Sequence, residues 1–317
     1  MLLSMAGLLD WTADALGGKI VRREHIQSLW GGYGELFRVE LAGAPTRTAV
    51  VKWVKPPLGA SDRSHQRKCR SYDVETAWYR DFASSCYQEC RVAKLYASRQ
   101  EQSETVLLLE DLDAAGYSAR HRRPARDAID RVLAWLAAFH ARFMGIEPEG
   151  LWPAGSYWHL ATRPEELALV ADPRLRAAAP WLDQKLDEGR FRTLIHGDAK
   201  LANFCFAESG RGVAAVDFQY VGGGCGMKDV AYLLCGDAAS EETEQRHLDF
   251  YFRELCDRAA DAQLAFDSTA VEREWRELYP LACLDFHRFL AGWSASSWQR
   301  DDALRARADA LLSRVGR

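Results

Sequence analysis

The stretch HGDAKLANFCF, residues 196–206, limits what this chain can be more than any other part of it. It sets an aspartate, a lysine and an asparagine within six residues, between the apolar runs TLI and FCF. Apolar runs that short read as small strands, and the polar residues between them as a loop. A loop anchored at both ends can turn Asp198 and Asn203, five positions apart, toward one cavity. Asp217 follows fourteen residues after Asn203, at the end of the apolar run VAAV, and can approach from a neighbouring strand. Asn203 and Asp217 suit a hard divalent cation such as Mg2+, which takes few protein ligands and fills its shell with phosphate and water. Asp198 is then free to accept a proton from an attacking hydroxyl. The plain alternative is an Asx-turn loop followed by a strand-end aspartate. Each piece alone would fit that alternative; the order Asp, four residues, Asn, about a dozen residues, Asp-Phe is the order of catalytic base and metal ligands in phosphoryl transfer.

A phosphoryl-transfer site needs further parts upstream. GGYGELFRV follows the pattern G-x-G-x-x-G-x-V at Gly32, Gly34 and Val39, but Phe37 stands where the third glycine would be. Glycines let a hairpin approach phosphates closely, so this loop matches imperfectly. Lys52, thirteen residues after Val39, ends a β-branched run and would face the phosphates, with Lys55 as its competitor. Asp73 is a plausible N-cap for the helical pattern DVETAWYRDFAS, which would carry Glu75 to Lys52 as an ion-pair partner. The basic stretch SDRSHQRKCRSYD before it reads as a solvated connection rather than a phosphate-steering patch. TVLLLEDLDAAGY reads as a buried strand over residues 105–109 that leads into a connection between lobes. There the backbone of Glu110 and Leu112 would hold an adenine.

These elements predict an α+β chain with two lobes. Residues 1–110 form a small β-rich lobe, and residues 111–317 a larger, mainly helical one. In AIDRVLAWLAAFHARF one helical face takes Ile129, Val132, Leu133, Leu136, Ala137, His140 and Phe143, so His140 reads as a core histidine. The N-terminal stretch reads as a short amphipathic helix closed by Gly17-Gly18, and no apolar run is long enough to span a bilayer. A net charge of -4 gives no basic field for nucleic acid. The eight cysteines lack zinc spacing and read as reduced thiols of a cytoplasmic protein.

Taken together, HGDAKLANFCF, VDFQYVGGGCGMKDVAYLL, LLLEDL, LAAFHARF and YDVETAWYRDF resemble the aminoglycoside phosphotransferase/choline kinase superfamily over roughly residues 27–240. Glutamine after Asp217-Phe218 points to its ecdysteroid-kinase-like branch. The resemblance implies an ATP- and Mg2+-dependent kinase of a small hydroxylated molecule. Asp198 would be the base, Asn203 and Asp217 the Mg2+ ligands, and Lys52 with Glu75 the phosphate-orienting pair. Asp229 would be mainly structural, capping a helix. Lys200, two after the base, would neutralise charge on the transferred group or simply face water.

In the resembling families a C-terminal helical region shapes the acceptor pocket. Here Asp285, His287, Trp293 and Trp298 would line it, and aromatic rings with a carboxylate suit a cationic acceptor. Aromatic residues at helical spacing are more often core. Choline, an aminoglycoside, a sterol-like alcohol and other metabolites all stay open. Two rival classes exist. HGD and only eleven residues between Asp217 and Asp229 speak against a protein kinase, and the presence of every chemical residue speaks against a non-catalytic nucleotide-binding scaffold.

Overall fold

The computed structural model describes residues 4–57, 59, 61–121, 126–210, 212–235, 240–261 and 266–315. The chain divides into two units, one of Met1–Arg120 with Cys205–Gln219, the other of His121–Phe204 with Tyr220–Arg317. The sequence suggests one cut after residue 110; the structure instead returns a late segment to the first unit, because that segment pairs with strands there. The first region is β-sheet and the later part is mostly helical.

Helix α1 (Met5–Leu16) opens on Ser4, whose hydroxyl accepts the Gly7 N–H, and closes on Gly17 in the left-handed region. Its buried Leu8, Thr12 and Leu16 recur every four residues and face the sheet. That sheet contains β1 (Lys19–Ser28), β2 (Gly34–Ala42), β3 (Thr48–Val54), β5 (Leu95–Glu101) and β6 (Glu104–Glu110), all antiparallel in the order β1-β2-β3-β6-β5. Alternation along each strand gives it two different faces. Phe37, Val39, Val51, Trp53 and Leu108 pack with Leu8 and Leu16 of α1. Leu36, Lys52 and Leu107 stand opposite one another and belong to the other face.

Gly34 has φ +129°, and a Cβ there would come within 2.0 Å of the Trp53 carbonyl oxygen. No L side chain fits that position without moving β3. Gly34→Ala is therefore expected to lower stability by about 3 kcal/mol through backbone strain and displacement of the strand. Urea unfolding measures it, and a variant as stable as wild type would show that the hairpin tolerates the shift.

Helix α2 (Arg63–Ala77) starts earlier than the sequence suggests. Its N-cap is Asp62, which accepts the His65 N–H, while Asp73 lies inside the helix. The basic stretch is thus the first half of α2 and not a loop, since it holds no glycine or proline to stop a helix. Two strands, β4 (Arg91–Val92) and β9 (Val213–Ala215), pair in parallel, and β8 (Phe204–Phe206) joins them in a three-stranded sheet. This pairing is what draws residues 205–219 into the first unit.

In the second unit, α3 (Arg126–Arg142) buries the predicted face, His140 included, and packs on α7 (Glu241–Asp261). Helix α8 (Ser268–Trp293) packs against α4 (Pro164–Ala168), α5 (Pro173–Asp187), α6 (Met227–Leu234), α9 (Ala295–Arg300) and α10 (Asp302–Val315). The glycine run after Val221, whose composition suggests a loop, is a strand, β10 (Gly222–Gly224), paired with β7 (Thr193–Ile195). Only bare backbone fits there, because a Cβ on Gly222 would meet the Trp152 oxygen at 2.1 Å. Cys235 at the end of α6 and Cys283 in α8 form a disulfide, correcting the expectation of eight free thiols. Their separation of 48 residues hides a pairing that helix packing creates. Among the described residues no helix is long and apolar enough to cross a membrane.

Candidate functional site

The expected site residues fall into two groups, one in each unit. In the first unit β3 presents Lys52 and α2 presents Glu75, with the ammonium and carboxylate 2.5 Å apart and both side chains buried. Burial alone would depress the lysine. Glu75 first and Asp217 second more than reverse it, so the ammonium is held above its ordinary value. Lys55, the competitor, is half exposed and lies near Glu104 instead. The Glu75 pairing therefore singles out Lys52.

Asp217 stands 3.7 Å from the Lys52 ammonium, too long for a hydrogen bond. Its backbone has φ +69°, uncommon for a residue with a side chain, and its Oδ1 is buried with no hydrogen-bond partner among the described residues. The ring of Phe218, the next residue, stacks on Trp78 at 4.6 Å, and Gln219 accepts a hydrogen bond from Ser71 of α2. The segment is thus fastened just after Asp217 by these two residues and just before it by β9, which pairs with β4.

Gly32 and Gly34 lie at the tip of the β1–β2 hairpin. Phe37, in place of a third glycine, turns its ring into the core under α1 and away from the face that carries Lys52. The departure from the glycine pattern therefore puts no bulk on that face. At the end of β6 the Glu110 N–H is bonded to the Lys94 oxygen, and the Leu112 oxygen accepts from Tyr117. Among the described residues the Leu112 N–H donates to no protein acceptor, although Leu112 is buried. Arg38 braces this connection with two hydrogen bonds to Asp111 and one to Asp113. Burial would raise the Asp111 carboxyl, but Arg38 outweighs it and holds the group below its usual range.

The second unit carries the polar loop. Asp198 is buried, and Lys200 Nζ and Asn203 Nδ2 each reach its Oδ2 at 2.8 Å. The same Asn203 amide also donates to the Asp198 backbone oxygen at 2.8 Å, which closes the loop on itself. The Lys200 side chain is 45% exposed. Below the loop, Asp229 accepts the N–H groups of His196 and Gly197, at 2.6 and 2.9 Å. It does not cap α6, as the sequence suggests; it holds the backbone just before Asp198. His140 explains its burial here, with one ring nitrogen 3.2 Å from Asp229 and the other 2.7 Å from the Tyr251 hydroxyl.

Sequence reasoning missed Tyr232. It is buried beside Asp198, and burial first, then that carboxylate, push the phenol far above its ordinary value. The signal was present: Tyr232 lies three residues after Asp229 on α6, one helical turn along the same face.

Of the expected acceptor residues, His287 and Trp298 meet, while Asp285 and Trp293 make other contacts. Asp285 is fully buried and paired with Arg288 on the same helix, with Lys228 3.9 Å away. His287 is buried too, hydrogen-bonded to the Cys235 oxygen, and burial lowers it to about 4. Trp298 lies against that histidine, its ring centroid 6.0 Å away. Trp293 is 55% exposed and stacks on Phe289.

A sequence profile described as the phosphotransferase enzyme family matches residues 42–281. A search of curated proteins finds no match. Among solved structures, amicoumacin kinase hAmiN, in complex with AMP-PNP, Ca2+ and Ami, superposes with a TM-score of 0.55 at 13% identity, over 96% of this chain and 92% of that one. Choline kinase LicA from Streptococcus pneumoniae gives a TM-score of 0.53 at 13% identity, over 98% of each chain. An ethanolamine kinase from Plasmodium vivax gives 0.52 at 12% identity, over 92% of this chain and 81% of that one. At these identities the likeness establishes a kinase-like fold, while the profile covers well over half of the sequence. The chain belongs to the phosphotransferase enzyme family.

Proposed function

We propose that the chain is a kinase that moves the γ-phosphoryl group of ATP, as its Mg2+ complex, to a hydroxyl of a small molecule. The observation that carries this reading is Asp198, a buried carboxylate on a pinned backbone, addressed by a carboxamide, an ammonium and a phenol. A merely structural aspartate would need one partner, and this one has a carboxamide and an ammonium on the same oxygen.

In this reading Lys52 holds the first phosphates and Glu75 orients it, while the backbone of Gly32 and Gly34 covers the phosphate chain. The Glu110 and Leu112 backbone takes the adenine edge, for which the unspent Leu112 N–H is a ready donor. Asn203 and Asp217 are assigned to Mg2+. The buried Asp217 Oδ1, an oxygen with no hydrogen bond among the described residues, fits a hard cation. Magnesium, when bound, would neutralise charge on the β- and γ-phosphates. The acceptor oxygen forms its bond to phosphorus as the bond to the β-phosphate oxygen breaks, and ADP leaves. Asp198 orients the hydroxyl and takes its proton, and Lys200 offsets charge on the transferred group. The fold relative solved with AMP-PNP and Ca2+ supports a nucleotide and a divalent ion as ligands.

Gln219 keeps the ecdysteroid-kinase-like branch as our preferred placement. The acceptor is a small hydroxylated compound; a charge preference has no support from Asp285, which Arg288 occupies. The test is ADP release from Mg-ATP across a panel of sugars, amino alcohols, aminoglycosides and sterols. Acceptor-dependent release is expected for at least one class. No release together with no Mg-ATP binding would overturn the reading.

A further inference from the structure

The first half of α2 carries Arg63, Arg67, Lys68 and Arg70, to which the proposed reaction gives no task. Lys68 is set apart by its place on the helix. It precedes Tyr72 by four residues and Glu75 by seven, so the three share one face. The contacts follow that face. Glu75 takes Lys52, the Tyr72 ring lies 5.7 Å from the Lys52 ammonium, and the Tyr33 and Tyr72 rings are 6.2 Å apart. The Lys68 ammonium lies 4.7 Å from the centre of the Tyr33 ring. It also abuts the hairpin tip, since a Cβ on Gly31 would come within 2.8 Å of it. Tyr33 is itself fixed, its hydroxyl bonded to His65 Nδ1 at 2.6 Å. Among the described residues this ammonium has neither a carboxylate at salt-bridge distance nor a hydrogen-bond acceptor. An ammonium steadied by a ring face, with its donors unspent, is arranged to receive an anion.

Strand register says which anion. Lys52 stands opposite Leu107, Glu110 opposite Ala49 toward the start of β3, and Gly34 opposite Val54 toward its end. Lys52 therefore lies between the Glu110 backbone and the hairpin tip, roughly 10 Å from one and 7 Å from the other at 3.3 Å per residue. A nucleotide with its base at Glu110 and its first phosphates at Lys52 runs on toward Lys68. We infer that Lys68 is a second phosphate-binding residue, contacting the terminal phosphate of the nucleoside triphosphate; the inference rests on the kinase reading above.

The test compares dissociation constants of AMP, ADP and ATP, each with Mg2+, for wild type, Lys68→Ala and Lys68→Arg. Loss of one charge-assisted contact is expected to weaken ATP by about tenfold in Lys68→Ala. AMP should change by less than about twofold on the same grounds, and Lys68→Arg should recover most of the ATP affinity. If ATP and AMP weaken together, or neither weakens, the inference is overturned while the kinase reading stands. If wild type binds none of the three nucleotides, the kinase reading falls and takes the inference with it.

Discussion

Asp198→Asn is expected to lower kcat by about two to four orders of magnitude, the usual range for loss of a positioned general base. Asparagine keeps the shape of the side chain, and its oxygen can still accept from Lys200 and Asn203, the two donors that meet Oδ2. The loop should therefore keep its form, and the KM for Mg-ATP should stay within about threefold, because the lost group acts on the acceptor and not on nucleotide binding. Turnover measured at saturating acceptor, with unfolding curves to confirm a native fold, separates these effects. A variant retaining a tenth or more of wild-type kcat would remove Asp198 from the chemistry, and the assignment of the whole loop with it.

Asp198, Lys200 and Asn203 were legible because chemistry fixed their type and spacing within one short loop, where sequence distance and spatial distance are nearly the same thing. Lys52 was legible because a strand can be recognised by its β-branched residues, and Glu75 because it follows on the next helix. What the sequence hid were partnerships made by tertiary packing. Nothing near Asp229 announces that its carboxylate accepts two backbone N–H groups more than thirty residues earlier. Helix periodicity marked His140 as buried but could not name Tyr251 and Asp229 as its partners. The same ambiguity affected the acceptor residues. Aromatic and charged side chains at helical spacing look alike whether they line a pocket or satisfy one another, and Asp285 with Arg288 does the latter. The start of α2 was misplaced for a different reason: two aspartates, Asp62 and Asp73, could both cap a helix, and only the run of helix formers between them favours the first.

Asp229→Asn is expected to damage both stability and turnover, and the reason lies in polarity rather than size. The carboxylate uses one oxygen for the His196 N–H and the other for the Gly197 N–H, and His140 adds a third contact. An asparagine of the same shape offers one acceptor oxygen and one NH2 group, so a donor must face a donor in a fully buried setting. Leaving a buried donor unsatisfied costs about 1–3 kcal/mol, and loss of a charged acceptor adds to it. A loss of about 3 kcal/mol in urea unfolding is the expected outcome. The effect should also reach Asp198, which follows Gly197 directly, so kcat should fall by at least about a hundredfold at temperatures where the variant is fully folded, as misplacement by an ångström can do. Nucleotide binding through Lys52 and the hairpin tip makes no use of Asp229, so the Kd for Mg-ATP should hold. Hydrogen exchange gives the local readout: the His196 and Gly197 amides should lose protection well beyond the average for the chain. If those two amides remain as protected as in wild type, or if the folded variant turns over normally, then Asp229 is only a core residue, and the position of Asp198 is set by Asn203, Lys200 and Tyr232 alone.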